Sequence, residues 1–322
     1  MKQTRLLITT YFSAFLQPGG GEVELINLAS SLTDFDIHVD IYGPTSALLS
    51  SYDSVLHFSV HSDGLRVVED AKALNKQVIL WPNIWWSVTP SYDQKIITER
   101  FFKIADKVLF KSHAELDNVS MHVQVDKKKI IIVPWGVDPA YAQPADPKLF
   151  KSIYQLDSYI LWLGIIEDQK NQLATIQALK EIKTPVVFIG HHRNRAYFEA
   201  CLEAAPKHFK FLPYMPPGSP ILRSAVQNCD LYLEVPFDPP GLSALEAGLA
   251  GRTLVLSRGP WTTEEFGDLA ISVDPANPTE ILSGVEKGLN VKNKKNDIVE
   301  RIKRKHVLPQ CLQPLVELLS VA

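Results

Sequence analysis

The chain has 322 residues, which at roughly 150 per domain sets two domains. Apolar residues make up 46% and charged residues 21%, with a net charge of -3, so the composition excludes a disordered chain and carries no basic excess for nucleic acid. Cys201, Cys229 and Cys311 lie far apart with no C-x-x-C pair, which argues against a disulfide framework or a structural zinc site and fits a reducing cytoplasm.

The first element is a strand, RLLITT. Lys2 and Arg5 ahead of LLITTYFSAFL imitate a signal peptide, but no A-x-A-like cleavage site follows, and a buried strand is expected instead. Pro18-Gly19-Gly20-Gly21 then opens a helix in which Leu25, Leu28, Ala29 and Leu32 stand at i, i+3, i+4 and i+7. Two readings of this loop stand: backbone amides approaching an anion at a helix N-terminus, or a tight turn that needs positive φ. Strands follow at IHVDIYG, SVLHF, QVILW, KVLF and KIIIV, alternating with helical periodicity. After the Pro-rich stretch AQPADPKLF at 142–150, taken as the linker, the alternation repeats with SYILWLG, PVVFIG, FKFL, DLYLEV, TLVLS and AISV. The last thirty residues carry no strand signal and read as a terminal helix. The expected fold is α/β, with two doubly wound Rossmann-like domains facing each other across a cleft. Their expected bounds are 1–145 and 146–305, with 306–322 packing back on the first. The longest apolar run, Tyr159 to Ile166, is far short of the roughly 18 residues of a membrane span.

The most informative loop is VPFDPPGLSALEAGLAGR at 235–252. Asp238 precedes a helix and Glu246 lies inside it. Free amides at Gly241, Leu242 and Ser243 would face a phosphate, while a carboxylate accepts two hydrogen bonds from a vicinal diol such as ribose. That chemistry describes a sugar nucleotide. The competing reading is an S-x-x-E capping box from Ser243 to Glu246.

This segment resembles the E-x7-E region of the retaining GT-B glycosyltransferases of family 4 (glycosyl transferases group 1), with Asp238 for the first Glu. In the same order along the chain, GGGEVELINLASSL resembles that family's N-terminal glycine loop, IADKVLFKSHAEL its "aDxvixxSxxe" stretch, and VPWGVDPAYAQP its "VxpnGvDxxxFxP" stretch. SYILWLGIIEDQKNQLATIQAL resembles "GRLxxxKG", and FKFLPYM resembles "vxflGxv". The resemblance implies a retaining transfer, without cofactor or metal, from a UDP- or GDP-sugar to a saccharide or lipid-linked acceptor in surface polysaccharide or glycolipid synthesis. It implies that Glu246 binds ribose, Asp238 contacts the donor sugar, Lys170 neutralises the diphosphate, and Gly241, Leu242 and Ser243 offer amides. Gly20 and Gly21 would line the donor or acceptor side, and Tyr214 to Pro216 the base pocket. Three departures from the pattern stand: Ile165 replaces the Arg of "GRL", leaving Lys170 as the motif's cation unless a base such as Arg193 enters; Asn83 replaces a His, and an amide does no proton work but can hydrogen-bond a sugar hydroxyl; and Asp238 is one methylene shorter than Glu, with Pro239-Pro240 stiffening the loop after it. The same departures motivate a second class, a lapsed paralogue that binds nucleotide sugar or a partner subunit. A third, a GT-B-shaped epimerase, would release nucleotide with no acceptor.

Other signals read mainly as structural. Asp34-Phe35-Asp36 spells D-x-D but precedes a strand, and His191-His192 has no spaced partner to complete a metal set. His57 and His61 alternate around a strand end, where His61 is a candidate to assist the acceptor. The basic runs Lys127 to Lys129 and Lys292 to Lys305 read as solvated faces, with contact to an anionic inner membrane surface as the alternative. Trp81, Trp85 and Trp86 fit either a sugar-stacking platform or a core.

Overall fold

The computed structural model describes residues 3–16, 19–291 and 295–320. Lys2, Pro18 of the glycine loop, Lys292 to Lys294 of the basic run and the last two residues of the expected terminal helix lie outside them. The chain divides into two units, Met1–Gly136 with Leu308–Ala322, and Val137–Val307.

In the first unit the expected strands form as β1 (Arg5–Thr9), β2 (His38–Ile41), β3 (Ser54–Phe58), β4 (Gln77–Trp81), β5 (Lys107–Phe110) and β6 (Ile130–Ile132). Between them run α1 (Gly20–Leu32), α2 (Leu65–Ala73), α3 (Tyr92–Ile104) and α4 (His113–Ser120). The strands pair in parallel in the order β2-β1-β3-β4-β5-β6. Both faces of the inner strands are covered, which is why β1, β4 and β5 read as nearly continuous apolar runs, whereas the edge strand β2 (HVDI) is half-buried throughout. Successive residues of β1 enter opposite layers: Leu6 and Ile8 pack with Leu25, Leu28 and Leu32, whereas Leu7 packs with Val55, Val68 and Phe101. The first layer is completed by Leu308, Leu312, Leu315 and Leu319 from the end of the chain.

In the second unit, α5 (Leu149–Tyr154) leads to β7 (Ile160–Leu163), α6 (Gln172–Ala178), β8 (Val186–Ile189), α7 (Arg195–Ala204) and β9 (Lys210–Leu212). There follow α8 (Pro220–Asn228), β10 (Leu231–Glu234), α9 (Leu242–Leu249), β11 (Leu254–Ser257), α10 (Pro260–Phe266), β12 (Ile271–Val273), α11 (Pro278–Asn290) and α12 (Lys295–His306); α13 (Gln313–Ser320) then returns to the first unit. The strand order is β12-β11-β10-β7-β8-β9, all parallel, so the direction of winding reverses between β7 and β10. Ser91, Ser112, Asn194, Ser219 and Asn277 supply side-chain acceptors to the first turns of α3, α4, α7, α8 and α11.

The chain passes from the first unit to the second at Gly136, upstream of the Pro-rich stretch expected to be the linker. That stretch is held by α8: Gln227 Nε2 donates to the Tyr141 carbonyl at 2.9 Å, Gln227 Oε1 accepts the Ala145 amide at 2.8 Å, and Ser224 Oγ donates to the Asp146 carbonyl. Its polar backbone looks like a linker in sequence because the side chains that satisfy it lie about eighty positions away. The basic runs likewise have internal partners. Lys129 Nζ donates to the carbonyls of Phe102, Lys103 and Ala105 at the end of α3, where a cation also meets the negative helix terminus. Arg301 donates to the carbonyls of Glu264 and Glu265, and Lys305 to the Glu265 carboxylate. Among the described residues no helix is long and apolar enough to cross a membrane.

One backbone approach controls the end of β7. A Cβ on Gly190 would stand 2.0 Å from the Gly164 carbonyl oxygen, and Gly164 itself has φ +137°. Gly190→Ala is therefore expected to lower stability by about 1–3 kcal/mol, as overpacking does, and to shift the loop that follows Gly164. A melting curve of the purified variant measures the loss; a midpoint within 1 °C of wild type would contradict it.

Candidate functional site

Parallel α/β sheets bind ligands outside the carboxyl ends of their strands, at the point where winding reverses. In the second unit that point joins the loop after β7 to the loop after β10. Lys170 Nζ meets Asp238 Oδ2 at 2.7 Å, and the Phe237 amide donates to the Gln169 carbonyl at 3.0 Å. Two residues far apart in sequence and chosen on separate motifs thus share one site. Asp238 Oδ1 is buried without a donor. Asn171, at φ +64°, fastens the arrangement by donating from Nδ2 to the carbonyls of Val235 and Pro275.

Glu234, the last residue of β10, has a role that its position in an apolar strand concealed. Its carboxylate accepts the Gly241 amide at 2.9 Å, the Ser243 hydroxyl at 3.1 Å and the Tyr232 hydroxyl at 2.7 Å. Burial raises its pKa, and the Lys170 charge opposes the rise. The expectation of a free Gly241-Leu242-Ser243 amide run needs correction, because the Gly241 amide is held by Glu234. The amides of Leu242 and Ser243 remain in the first turn of α9, where an α-helix has no internal acceptors for them. The S-x-x-E capping box does not form either. Gly241 is the N-cap, and Glu246 lies a full turn inside the helix with its carboxyl hydrogen-bonded to Tyr141. Burial pushes the Glu246 pKa up to about 8; the Tyr141 bond opposes this, and the negative charges of Asp138 and Glu234 add to it. The Tyr141 hydroxyl also accepts the Gly218 amide at 3.4 Å. This ties the loop of Tyr214 and Pro216 to Glu246 through one phenol. Tyr214 is half exposed, with its ring 6.1 Å from that of His191, and Pro216 is exposed. Arg193 lies 3.5 Å from Glu167, beside the Ile165 loop.

In the first unit winding reverses between β1 and β3, where Gly20, Gly21 and His61 lie. The glycines do not need positive φ, so the tight-turn reading of this loop is replaced by one of space: a Cβ on Gly21 would stand 3.2 Å from Phe58 Cε1 and 3.4 Å from Asn83 Nδ2. Glu22 shapes the helix start by accepting the Gly19 amide at 2.6 Å and the Tyr11 hydroxyl at 2.9 Å. The His61 ring is exposed and lies 4.5 Å from that of Tyr11. His57 is fully buried, bonded to Thr9 Oγ1 at 2.8 Å and stacked on Phe101; burial lowers its pKa to about 4, so it is a neutral structural imidazole.

Asn83 adopts φ +51°, and its Oδ1 accepts a hydrogen bond from Lys111 Nζ. Lys111 is buried, 2.6 Å from Glu24 Oε2, and its ammonium faces the rings of Trp135, Phe58 and Trp81 at 4.6, 5.3 and 5.9 Å. Burial raises the Glu24 pKa against the pull of Lys111. α4 grips the adjoining loop: Glu115 accepts the amides of Ile84 and Lys111, and one turn on, Asn118 pairs with both the amide and the carbonyl of Trp86. Burial pushes Glu115 up to about 7. Lys111, Glu24 and Glu115 sat inside stretches recognised by resemblance, but a buried cation has no sequence signature apart from its partners. Trp81 belongs to the core and leaves the proposed stacking platform, whereas Trp85 and Trp86 are half-buried.

Asp34 and Asp36 lie at the turn entering β2, at the end of the sheet away from the carboxyl termini of the strands, and Asp36 accepts a bond from Gln3. His192 stacks on Phe198 at 4.3 Å. Among the described residues no group of three or more His, Cys, Asp or Glu side chains is arranged to hold a metal ion.

No family model matches the chain, and no characterised protein matches it by sequence. Solved structures match it over its full length. Sucrose-phosphate synthase from Thermosynechococcus elongatus superposes with a TM-score of 0.82 at 14% identity, covering 99% of each chain. HepE of Anabaena, solved in complex with UDP, gives 0.78 at 16% identity, covering 99% of this chain and 100% of that one. A glycosyltransferase from Rickettsia africae gives 0.79 at 13% identity, covering 100% and 99%. The fold is therefore that of the two-domain GT-B glycosyltransferases.

Proposed function

We propose that this chain is a retaining, metal-independent glycosyltransferase that moves a sugar from a UDP- or GDP-sugar to a saccharide or lipid-linked acceptor in surface polysaccharide or glycolipid synthesis. The observation that carries the reading is the meeting of Lys170 and Asp238 at the switch point of the second unit, with Glu246 inside the helix that follows. Lys170 and the amides of Leu242 and Ser243 take the diphosphate, and Glu246 accepts the two ribose hydroxyls. Asp238 Oδ1, buried and without a donor, accepts a hydroxyl of the donor sugar. The loop of Tyr214 and Pro216 borders the base. Arg193 supplies the second cation that Ile165 cannot.

The bond between the anomeric carbon and the diphosphate oxygen breaks as the acceptor hydroxyl oxygen bonds to the same face of that carbon. The hydroxyl proton passes to the leaving diphosphate. The protein's contribution is alignment and charge stabilisation, for which fixed donors in a desolvated site are effective. The first unit receives the acceptor at Gly20, Gly21, Asn83 and His61, on the cytoplasmic side of the membrane if that acceptor is lipid-linked.

The test is nucleotide release from UDP- and GDP-sugars by purified protein, with acceptor pools present and excess EDTA throughout. Turnover that survives EDTA supports the reading. Abolition by EDTA with rescue by manganese would remove metal independence, and tight nucleotide binding with no turnover would favour the lapsed paralogue.

The Glu246 carboxyl sets a pH dependence. Its folded pKa lies above its ordinary value, so the free protein holds a proton there that a ribose diol must displace. Nucleotide affinity is expected to rise from pH 6 to about pH 8, by less than tenfold per unit. Glu246→Gln should flatten the profile in calorimetry, and a sloped profile in that variant would assign the proton elsewhere.

A further inference from the structure

The orientation of the Asn83 side chain, in the first unit's candidate site, is imposed by a buried charge. Lysine has three donors and no acceptor, so the atom that meets Lys111 Nζ must be the amide oxygen. That decides the flip. Nδ2 is then the atom left on the side of Gly21, 3.4 Å from the place a Gly21 Cβ would occupy, on a residue that is itself exposed. The lysine cannot turn aside: it is 4% exposed, tied to Glu24 at 2.6 Å and enclosed by three aromatic rings. The backbone on which the amide rides is equally fixed, because Glu115 holds the amide of Ile84 and Asn118 holds Trp86.

We infer that Lys111 is a positioning residue that locks Asn83 with its NH2 group outward, so that this site recognises the lone pairs of a saccharide oxygen, either a hydroxyl or a sugar phosphate. The inference rests on reading the first unit as the acceptor side. It assigns Asn83 a role opposite to that of a base: the amide gives hydrogen bonds to the ligand and takes no proton from it. Lys111 also polarises the amide through its carbonyl, which strengthens the outward N-H donors. The charge behind them is balanced by Glu24, so the site offers direction without a bare cation.

Asn83→Asp separates this role from a structural one. The substitution is nearly isosteric and gives Lys111 a carboxylate in place of a carbonyl, so a melting temperature at or above that of wild type is expected. It also replaces the outward donors with an acceptor. Binding of glucose and of glucose 6-phosphate, each titrated by ligand-observed NMR, is expected in the millimolar range for wild type and at least tenfold weaker for Asn83→Asp. If Asn83 only satisfied Lys111, the variant would bind both as wild type does, and the inference would fail. A double variant, Lys111→Met with Glu24→Gln, removes the buried pair together and frees the amide to turn. It is expected to weaken sugar binding severalfold, and unchanged binding there would equally overturn the role of Lys111. The difference between the two probes identifies the source: a preference for glucose 6-phosphate points to a phosphoryl oxygen, equal binding to a hydroxyl. Failure of wild type to bind either sugar would also overturn the inference. UDP and GDP affinity, measured in parallel, reports on the donor reading of the second unit, so the failure of one is distinguishable from the failure of the other.

Discussion

Replacing Glu246 with alanine is expected to weaken UDP or GDP binding by about 2–4 kcal/mol, a factor of roughly thirty to a thousand, because two hydrogen bonds from a ribose diol to a carboxylate are lost together. The fold should survive. Glu246 is buried beside Asp138 and Glu234, and its charged form is disfavoured there, so the native state does not depend on its ionisation. A carboxyl whose folded pKa exceeds its unfolded value loses stabilisation as pH rises between the two, here from about 4.5 to about 8, and the alanine variant escapes that loss, which offsets the Tyr141 hydrogen bond it gives up. Calorimetry distinguishes the outcomes. An unchanged dissociation constant would reduce Glu246 to a packing residue of α9 and remove the donor from this helix.

The second large effect concerns α10 and α12. Glu265 is 2% exposed, and its carboxylate accepts from Lys305 Nζ at 2.9 and 2.8 Å and bonds His306 Nε2 at 2.8 Å. Glu265→Ala leaves the buried His306 ring facing a vacated acceptor, whereas Lys305, 36% exposed, keeps Glu264 and solvent, so the loss is about 1–3 kcal/mol. For a protein of this size, thermal denaturation should begin several degrees earlier, on the order of 5 °C. Burial alone would raise the Glu265 pKa, but His306 and Lys305 outweigh it and hold the carboxyl below its usual range. Its stabilisation is therefore complete above the unfolded pKa near 4.5 and lost as pH falls through the lower folded value. Wild type should lose stability in that acid window, and Glu265→Ala should not. Parallel acid profiles would show that the pair is not the source.

Strand positions were legible because a strand buried on both faces must be apolar almost throughout, and short runs such as KVLF and TLVLS have no competing reading between helical stretches. Asp238 and Lys170 were legible because each sits in a loop whose residue types recur in a known pattern. Glu234 was not, since one carboxylate at the end of DLYLEV looks like the exposed end of a strand until Gly241 and Ser243 fold back onto it. Lys111 was hidden for a similar reason: Glu24 and Asn83, which make its burial tolerable, are 87 and 28 positions away. Asn83 and Asn171 both take left-handed backbone conformations, which asparagine permits but does not announce. The glycine loop offered two readings in sequence, amides for an anion or a turn of positive φ, and neither pointed to the room that the Gly21 position needs beside Phe58 and Asn83.

The return of residues 308–320 to the first unit has a consequence for synthesis. Val137 and Val307 run side by side, joined by a bond from the Val137 amide to the His306 carbonyl at 2.7 Å, so the second unit is an insertion whose ends adjoin. At about 5–20 residues per second, roughly nine to thirty-five seconds pass on the ribosome between the last strand of the first sheet and the segment that covers it. Through that interval the part of the sheet's first layer beside β6 that will receive Leu312, Leu315 and Leu319 lacks its cover, while α1 already packs on the rest. The inserted unit holds all of its own core residues before that segment is made, so the first unit is the last to be completed although its sheet is the first to be synthesised.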